Sequence, residues 1–296
     1  MNSIRLTPVE QPRGGIGRIE PLLLPRLDGL YSRRASRLRA LAESHAMADY
    51  LNFAARIATA QQQLVERASL PAEVGLRLAP DDGAPLDALR LPRSPHWQQV
   101  LHGLADELLG DATPPVRKVL EGLREQSPAQ LETLADALLG GRHAEVGSDR
   151  ALFLWSALSL YWTQLAARLP LHAIAGPGGQ RQLCPVCAQS PAVSVIIDGL
   201  RYLHCGLCES RWHMVRATCS NCEHTGPLDY WSLDSENATI KAESCNECES
   251  YLKVLYLDRD HQLEAIADDL ASLALDADVE REGFARSGLN PFLLPG

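Results

Sequence analysis

Between Leu22 and about Ile174 the apolar positions return every three or four residues, the period of a helix with one buried face. Met47, Leu51, Ala54, Ala58, Gln61 and Val65 form one such series, with Gln61 its single polar position. This predicts a long amphipathic helix. Before it, "YSRRASRLRALAESH" sets Tyr31, Ala35, Leu38 and Ala42 on one side and most of its arginines on the other, so the arginines are expected on a solvated face. Further helices are predicted around Trp97 to Leu108, around Val116 to Leu123, and from Leu131 to Leu138 behind the start signal Ser127-Pro128. The last, from Arg150 to about Leu169, carries Phe153, Trp155, Tyr161 and Trp162 all round its circumference, as the centre of a bundle would.

After "AGPGGQ", residues 175–180, the period shortens to two and the residues become β-branched and aromatic, as in "AVSVIIDGLRYLHC" and "SYLKVLYLD". Helical spacing returns once, in "LEAIADDLASLALD", where Leu263, Ile266, Leu270, Leu273 and Ala274 share a face. Adjacent Asp268 and Asp269 fall on different sides of that helix and are expected at its solvated surface. The pattern predicts an α+β protein: an α-helical domain (residues 1–179), two small β modules (180–217 and 218–258), and a C-terminal helix with its tail (259–296).

Charge divides along the same line. Residues 181–296 hold 9 Lys and Arg against 18 Asp and Glu, which is the whole of the chain's net charge of -9. Such a half repels phosphate backbones, so a nucleic-acid-binding ribbon is not expected. The N-terminal "MNSIRLTPVEQPRGGIGRIEPLLLPRLDG" has charges and prolines where an export signal needs an apolar run. The longest uncharged stretch, "ALFLWSALSLYWTQLAA", is shorter than the ~20 residues of a membrane span. A cytoplasmic protein with no membrane insertion is expected, and in that reducing compartment paired cysteines are metal ligands or redox groups more often than disulfides.

All 8 cysteines fall in the β half, as four Cys-x-x-Cys pairs: Cys184/Cys187, Cys205/Cys208, Cys219/Cys222 and Cys245/Cys248. Two alternating runs joined by the hairpin signal Asp198-Gly199 separate the first pair from the second and bring them together. "PLDYWSL", the turn "DSEN" and "ATIKAE" do the same for the third and fourth. Between Cys208 and Cys219, "ESRWHMVRAT" has no turn former; as a strand it would hold its ends roughly 30 Å apart, beyond the reach of one metal with sulfur ligands. Two four-cysteine sites follow, Cys184, Cys187, Cys205 and Cys208, then Cys219, Cys222, Cys245 and Cys248. Four soft thiolates select zinc or iron. Each set is closed, so nearby His204, His213 and His224 are expected beside the sites or at the surface and not as ligands. A thioredoxin-type exchange motif would open a helix after a strand and would not occur four times across hairpins. No phosphate loop, nucleophile elbow or His-Glu-x-x-His motif is present.

"CPVC", "LRYLHCGLCESRWH", "CSNCE", "YWSLD", "IKAESC", "ADDLASLALD" and the closing "NPFLLPG" together resemble the formate dehydrogenase accessory proteins, the FdhE family, and "RLRALAESHAMADYLNFAARIATAQ" resembles it more loosely. The resemblance implies a non-catalytic cytoplasmic maturation factor that binds the catalytic subunit of formate dehydrogenase. It also implies rubredoxin-like modules with iron in each four-cysteine site, zinc being the alternative. A rubredoxin-like electron-transfer or redox-sensing role is the competing expectation. Ala188 and Glu209 stand where a rubredoxin knuckle often has glycine.

Overall fold

The computed structural model describes residues 19–72, 74, 83–170 and 181–295; the break "AGPGGQ" lies outside them. The helical half contains α1 (Leu30–Ala42), α2 (Ala48–Arg67), α3 (His96–Leu109), α4 (Pro114–Arg124), α5 (Pro128–Leu139), α6 (His143–Val146) and α7 (Ser148–Ala167). The start signal before α5 acts as expected: the Ser127 hydroxyl and the Gln130 side chain cap each other's backbone N–H groups. Helix α7 runs through the middle of the bundle and is buried on every side from Phe153 to Ala166. Its polar atoms are satisfied there: Trp162 donates to the Leu86 carbonyl at 2.9 Å, and Ser156 offers its carbonyl to the Gln61 amide at 2.9 Å. The polar break in the α2 pattern is therefore a buried cross-link to α7.

The β half forms one sheet rather than two separate ribbons. Its strands are β2 (Pro191–Ile197), β3 (Leu200–Cys205), β4 (Arg211–His213), β5 (Asp229–Trp231), β6 (Ile240–Cys245) and β7 (Ser250–Tyr256), with two-residue strands β1 (Leu22–Leu23) and β8 (Ala285–Arg286). The order is β1-β4-β3-β2-β7-β6-β5, and β8 also pairs with β7. Asp198 and Gly199 make the β2–β3 turn with both φ values positive, 50° and 73°. The two cysteine-bearing hairpins meet where β2 lies parallel to β7, with Val195 opposite Leu255. Beneath this junction Val193, Val195, Tyr202, Leu255, Leu263 and Ala265 form a small core of their own.

Three expectations are corrected. "ESRWHMVRAT" is not one strand: only Arg211–His213 is extended, and the chain turns over 216–218, where the Thr218 carbonyl accepts a hydrogen bond from Arg201 of the neighbouring strand β3 at 2.9 Å. The C-terminal helix is two helices, α8 (Ala265–Ala271) and α9 (Leu273–Arg281), broken at Ser272, whose hydroxyl bonds back to the carbonyls of Asp268 and Asp269. Asp268 and Asp269 are not solvated but 1% and 0% exposed. Asp268 takes two hydrogen bonds from the Arg37 Nε and Nη2 groups and one from the Glu264 backbone N–H, while the Glu264 side chain caps the N–H groups of Ile266 and Ala267. Asp269 meets buried Lys253 at 2.9 Å, Arg286 at 2.5 Å and the Asn290 amide at 2.7 Å. Lys253 also pairs with Asp276 at 2.6 Å, which ties α8 and α9 to the central strand β7. Among the described residues no helix is long and apolar enough to cross a membrane.

Candidate metal centre

Each Cys-x-x-Cys pair sits in a tight knuckle of the same design. The N–H of the first cysteine bonds to the carbonyl five residues on: Cys184 to Gln189 at 2.9 Å, Cys205 to Ser210 at 3.0 Å and Cys219 to His224 at 2.8 Å, with Cys245 opposite Ser250 in the β6–β7 pairing. This closure forces the residue after the second cysteine into the left-handed region. Those residues are Ala188 (φ 62°), Glu209 (φ 60°), Glu223 (φ 60°) and Glu249 (φ 52°). None is glycine, so each knuckle carries a steric cost of about 1 kcal/mol or more. Gly206 is needed for another reason: a Cβ there would meet Ala192 Cβ at 3.2 Å and Pro291 at 3.3 Å.

The knuckles assemble in the pairing expected from the hairpins. Cys184, Cys187, Cys205 and Cys208 form one group and Cys219, Cys222, Cys245 and Cys248 the other, the four sulfurs of each lying within 4.8 Å of one another. A tetrahedron with metal–sulfur bonds of about 2.3 Å has sulfur–sulfur edges of about 3.8 Å. The closest pairs are 3.5 Å (Cys184–Cys208) and 3.4 Å (Cys187–Cys205) in the first group, and 3.7 Å (Cys219–Cys248) and 3.8 Å (Cys222–Cys245) in the second. The spacing and the soft donor set both fit one zinc or iron ion per group.

Backbone and hydroxyl groups around the sulfurs support charge there. The N–H groups of Leu207 and Cys208 point at Cys205 Sγ at 3.4 and 3.5 Å, and the Asn221 N–H points at Cys219 Sγ at 3.4 Å. Ser210 Oγ lies 3.3 Å from Cys208 Sγ and Ser250 Oγ 3.0 Å from Cys248 Sγ, so the last cysteine of each group has a serine two residues on. Burial pushes the Cys184 and Cys187 thiols well up, while at Cys208 hydrogen bonds from its three neighbours and Ser210 outweigh burial and hold it well down. In the second group burial pushes Cys219 up to about 12; at Cys248 hydrogen bonds led by Ser250 outweigh burial and hold it down to about 7.

The surroundings of the two groups differ. All four cysteines of the first are at most 1% exposed and belong to the same hydrophobic core as the helices. The Leu86 and Ala88 N–H groups bond to the Val186 and Cys187 carbonyls at 2.8 and 3.0 Å, and Trp155 of α7 donates to the Gly206 carbonyl at 3.1 Å. In the second group Cys222 is exposed and Cys248 half-buried.

Glu209, directly after Cys208, is the electrostatic joint between the halves. Arg34 of α1 grips it with two parallel hydrogen bonds of 2.9 and 2.8 Å and bonds to Glu264 at 2.9 Å. Burial raises the Glu209 carboxyl, but the Arg34 charge and the His204 contact outweigh it and hold it down to about 2. His204 Nε2 lies 3.0 Å from Glu209, and its Nδ1 accepts from Arg211 Nε at 3.0 Å, which places the imidazole proton on Nε2. The arginine face expected in solvent is thus divided: Arg34 is 2% exposed and Arg37 is paired with Asp268, while Arg33 and Arg39 face outward. A second buried pair, Arg201–Glu243 at 2.5 Å, ties the two cysteine modules together across the sheet. His213 is half-buried edge-on to Tyr202, and His224 is exposed.

Arg34, Glu209, Arg201 and Glu243 were not singled out by sequence reasoning as buried partners. One signal was available: the closing knuckles share Cys-Glu-Ser, at 208–210 and 248–250, but that repeat does not say which glutamate is buried.

Three family models match in succession: "FdhE, N-terminal" over residues 19–178, "FdhE, central domain" over 183–216 and "FdhE, C-terminal domain" over 217–293. The chain belongs to the FdhE family. It is 53% identical to the protein FdhE homolog of Edwardsiella ictaluri and 49% identical to protein FdhE of Escherichia coli K12, each comparison covering 99% of both chains. The crystal structure of the FdhE protein from Pseudomonas aeruginosa superposes with a TM-score of 0.87 at 37% identity, covering 93% of this chain and 99% of that one.

Proposed function

We propose that this chain is a non-catalytic, cytoplasmic assembly factor that binds the catalytic subunit of formate dehydrogenase during its maturation and carries iron in both four-cysteine sites. Membership of the FdhE family supports the role. The observation that carries the site assignment is the pair of complete four-sulfur groups, each with tetrahedral edges, held in one sheet. Cys184, Cys187, Cys205 and Cys208 would hold one ion, and Cys219, Cys222, Cys245 and Cys248 the other; a bound ion would cross-link each pair of knuckles and keep the thiolates ionised. Four protein ligands leave no open position for a metal-bound water, which fits a scaffold better than a hydrolase. The first site lies between helices and sheet and would fix the platform that the partner meets.

In a strain lacking its own FdhE, expression of this chain is expected to restore formate dehydrogenase activity, and Cys184→Ala/Cys187→Ala is not. Equal activity with and without the chain would overturn the proposal. The exposure of Cys222 favours a second reading for the outer site, one-electron transfer by an iron–thiolate centre. Visible absorption that bleaches with reductant and recovers in air supports it; colourless protein with two zinc ions removes it.

A further inference from the structure

A pocket lies apart from both cysteine groups. It has a volume of about 640 Å³ and runs along the outward face of α1, closed on the other side by Arg211 and by residues 257–264 ahead of α8. Arg33, Arg37, Arg211 and His261 enter it together with the hydroxyl-bearing side chains of Ser32 and Ser36, and Leu30, Leu257 and Leu263 supply an apolar wall.

The charges here do not balance locally. Glu264 is the one carboxylate among the described residues that line the pocket, and it is already committed: Oε1 to Arg34, Oε2 to the N–H groups of Ile266 and Ala267. Arg37 is spoken for by Asp268, and nearby Asp260, outside the lining, accepts from the Gln262 N–H. Among the described residues no carboxylate pairs with Arg33 or Arg211. Arg211 is partly buried and bonds through Nε to His204 Nδ1; burial disfavours its charge first, the Glu209 and Glu264 carboxylates offset part of that, and Arg33 and Arg34 add repulsion, so that on balance its charge is disfavoured. An anion held between two guanidinium groups that line one concave space relieves their mutual repulsion and gains charge-assisted hydrogen bonds from both.

We propose that this pocket binds a small phosphoester, with its phosphate oxygens on Arg33 and Arg211 and its organic part against Leu30, Leu257 and Leu263. Guanidinium forks match phosphate oxygens bidentately. The volume falls in the range of small-molecule sites, and a lone phosphate would leave most of it empty. From Arg211 the contact continues through His204 to Glu209, beside Cys208, so the occupant would rest one hydrogen-bonded chain away from the first cysteine group.

The test is calorimetric titration of the full chain with inorganic pyrophosphate, with a nucleoside diphosphate and with a hexaglutamate peptide, at low ionic strength. Saturable one-to-one binding of both phosphate compounds is expected, tighter for the nucleotide. Arg33→Ala, at an exposed position, is expected to weaken both by about tenfold or more, the loss of one charge-assisted contact, without lowering the melting temperature of the unliganded protein. Arg39→Ala, on the same helix but outside the pocket, is expected to leave binding unchanged. No saturable binding of either phosphate compound, equal weakening by Arg39→Ala, or tighter binding of hexaglutamate would each overturn the proposal.

Discussion

Replacing Arg34 with methionine removes the guanidinium that grips Glu209 and leaves a carboxylate 1% exposed in the joint between the helical and β halves. Methionine fills most of the same space, so the effect isolates the charge. Removing one partner of a buried ion pair typically costs about 3–5 kcal/mol, because the remaining charge keeps its desolvation penalty and loses its compensation. His204 stays in contact with Glu209 and Glu264 is 15% exposed, so the lower part of that range, about 3 kcal/mol, is expected. At about 2 °C per kcal/mol for a chain of this size, the melting temperature should fall by about 6 °C. Urea unfolding followed by tryptophan fluorescence is the assay, since Trp155 touches the Gly206 carbonyl in the second knuckle and senses opening there. Arg34→Met/Glu209→Gln removes the orphaned charge and should recover at least about 1.5 kcal/mol relative to additivity. If Arg34→Met costs less than about 1 kcal/mol, or the two substitutions are strictly additive, the joint does not hold the halves together.

The other expectations are narrower. Cys205→Ala should halve the metal content, measured by atomic emission, because the two groups share no ligand; loss of both ions would show that the sites are not independent. Ala188→Gly removes a left-handed alanine and should raise stability by up to about 1 kcal/mol, whereas Ala188→Val should lower it by more than that. Burial raises the Asp269 carboxyl, but Lys253 and Arg286 outweigh it and depress it below its usual 3.8. Its contribution is therefore fully present above that pH and lost as pH falls through the depressed value. Asp269→Asn should be less stable than wild type at neutral pH, with a gap that narrows on acid titration below 3.8; a gap independent of pH refutes the assignment.

The helices and the grouping of the cysteines were legible because both rest on local signals. The α2 series is a local period, and Asp198-Gly199 is a local turn, so each element could be read from a short stretch of chain. What escaped the sequence is carried by contacts across long separations. Arg34 lies 175 residues from Glu209 and 230 from Glu264, and nothing near any of the three marks them as partners. The adjacency of Asp268 and Asp269 suggested a solvated surface, but α8 is covered on both sides, by α1 with Arg37 and by β7 with Lys253. The union of the two ribbons into one sheet depends on the parallel contact of β2 with β7, which no turn signal announces. Sequence also singled out Ala188 and Glu209 as departures from glycine but not Glu223 and Glu249, which adopt the same left-handed geometry.

The proposed role requires an intact first cysteine group in the platform that would meet the catalytic subunit of formate dehydrogenase. Affinity capture of that subunit by the tagged full chain, with metal content measured on the same samples, tests it most directly. Wild type is expected to retain the subunit and two ions, and Cys184→Ala/Cys187→Ala to lose one ion and release the subunit. Undiminished capture by a variant that has lost the ion, or unchanged metal content in that variant, would contradict it.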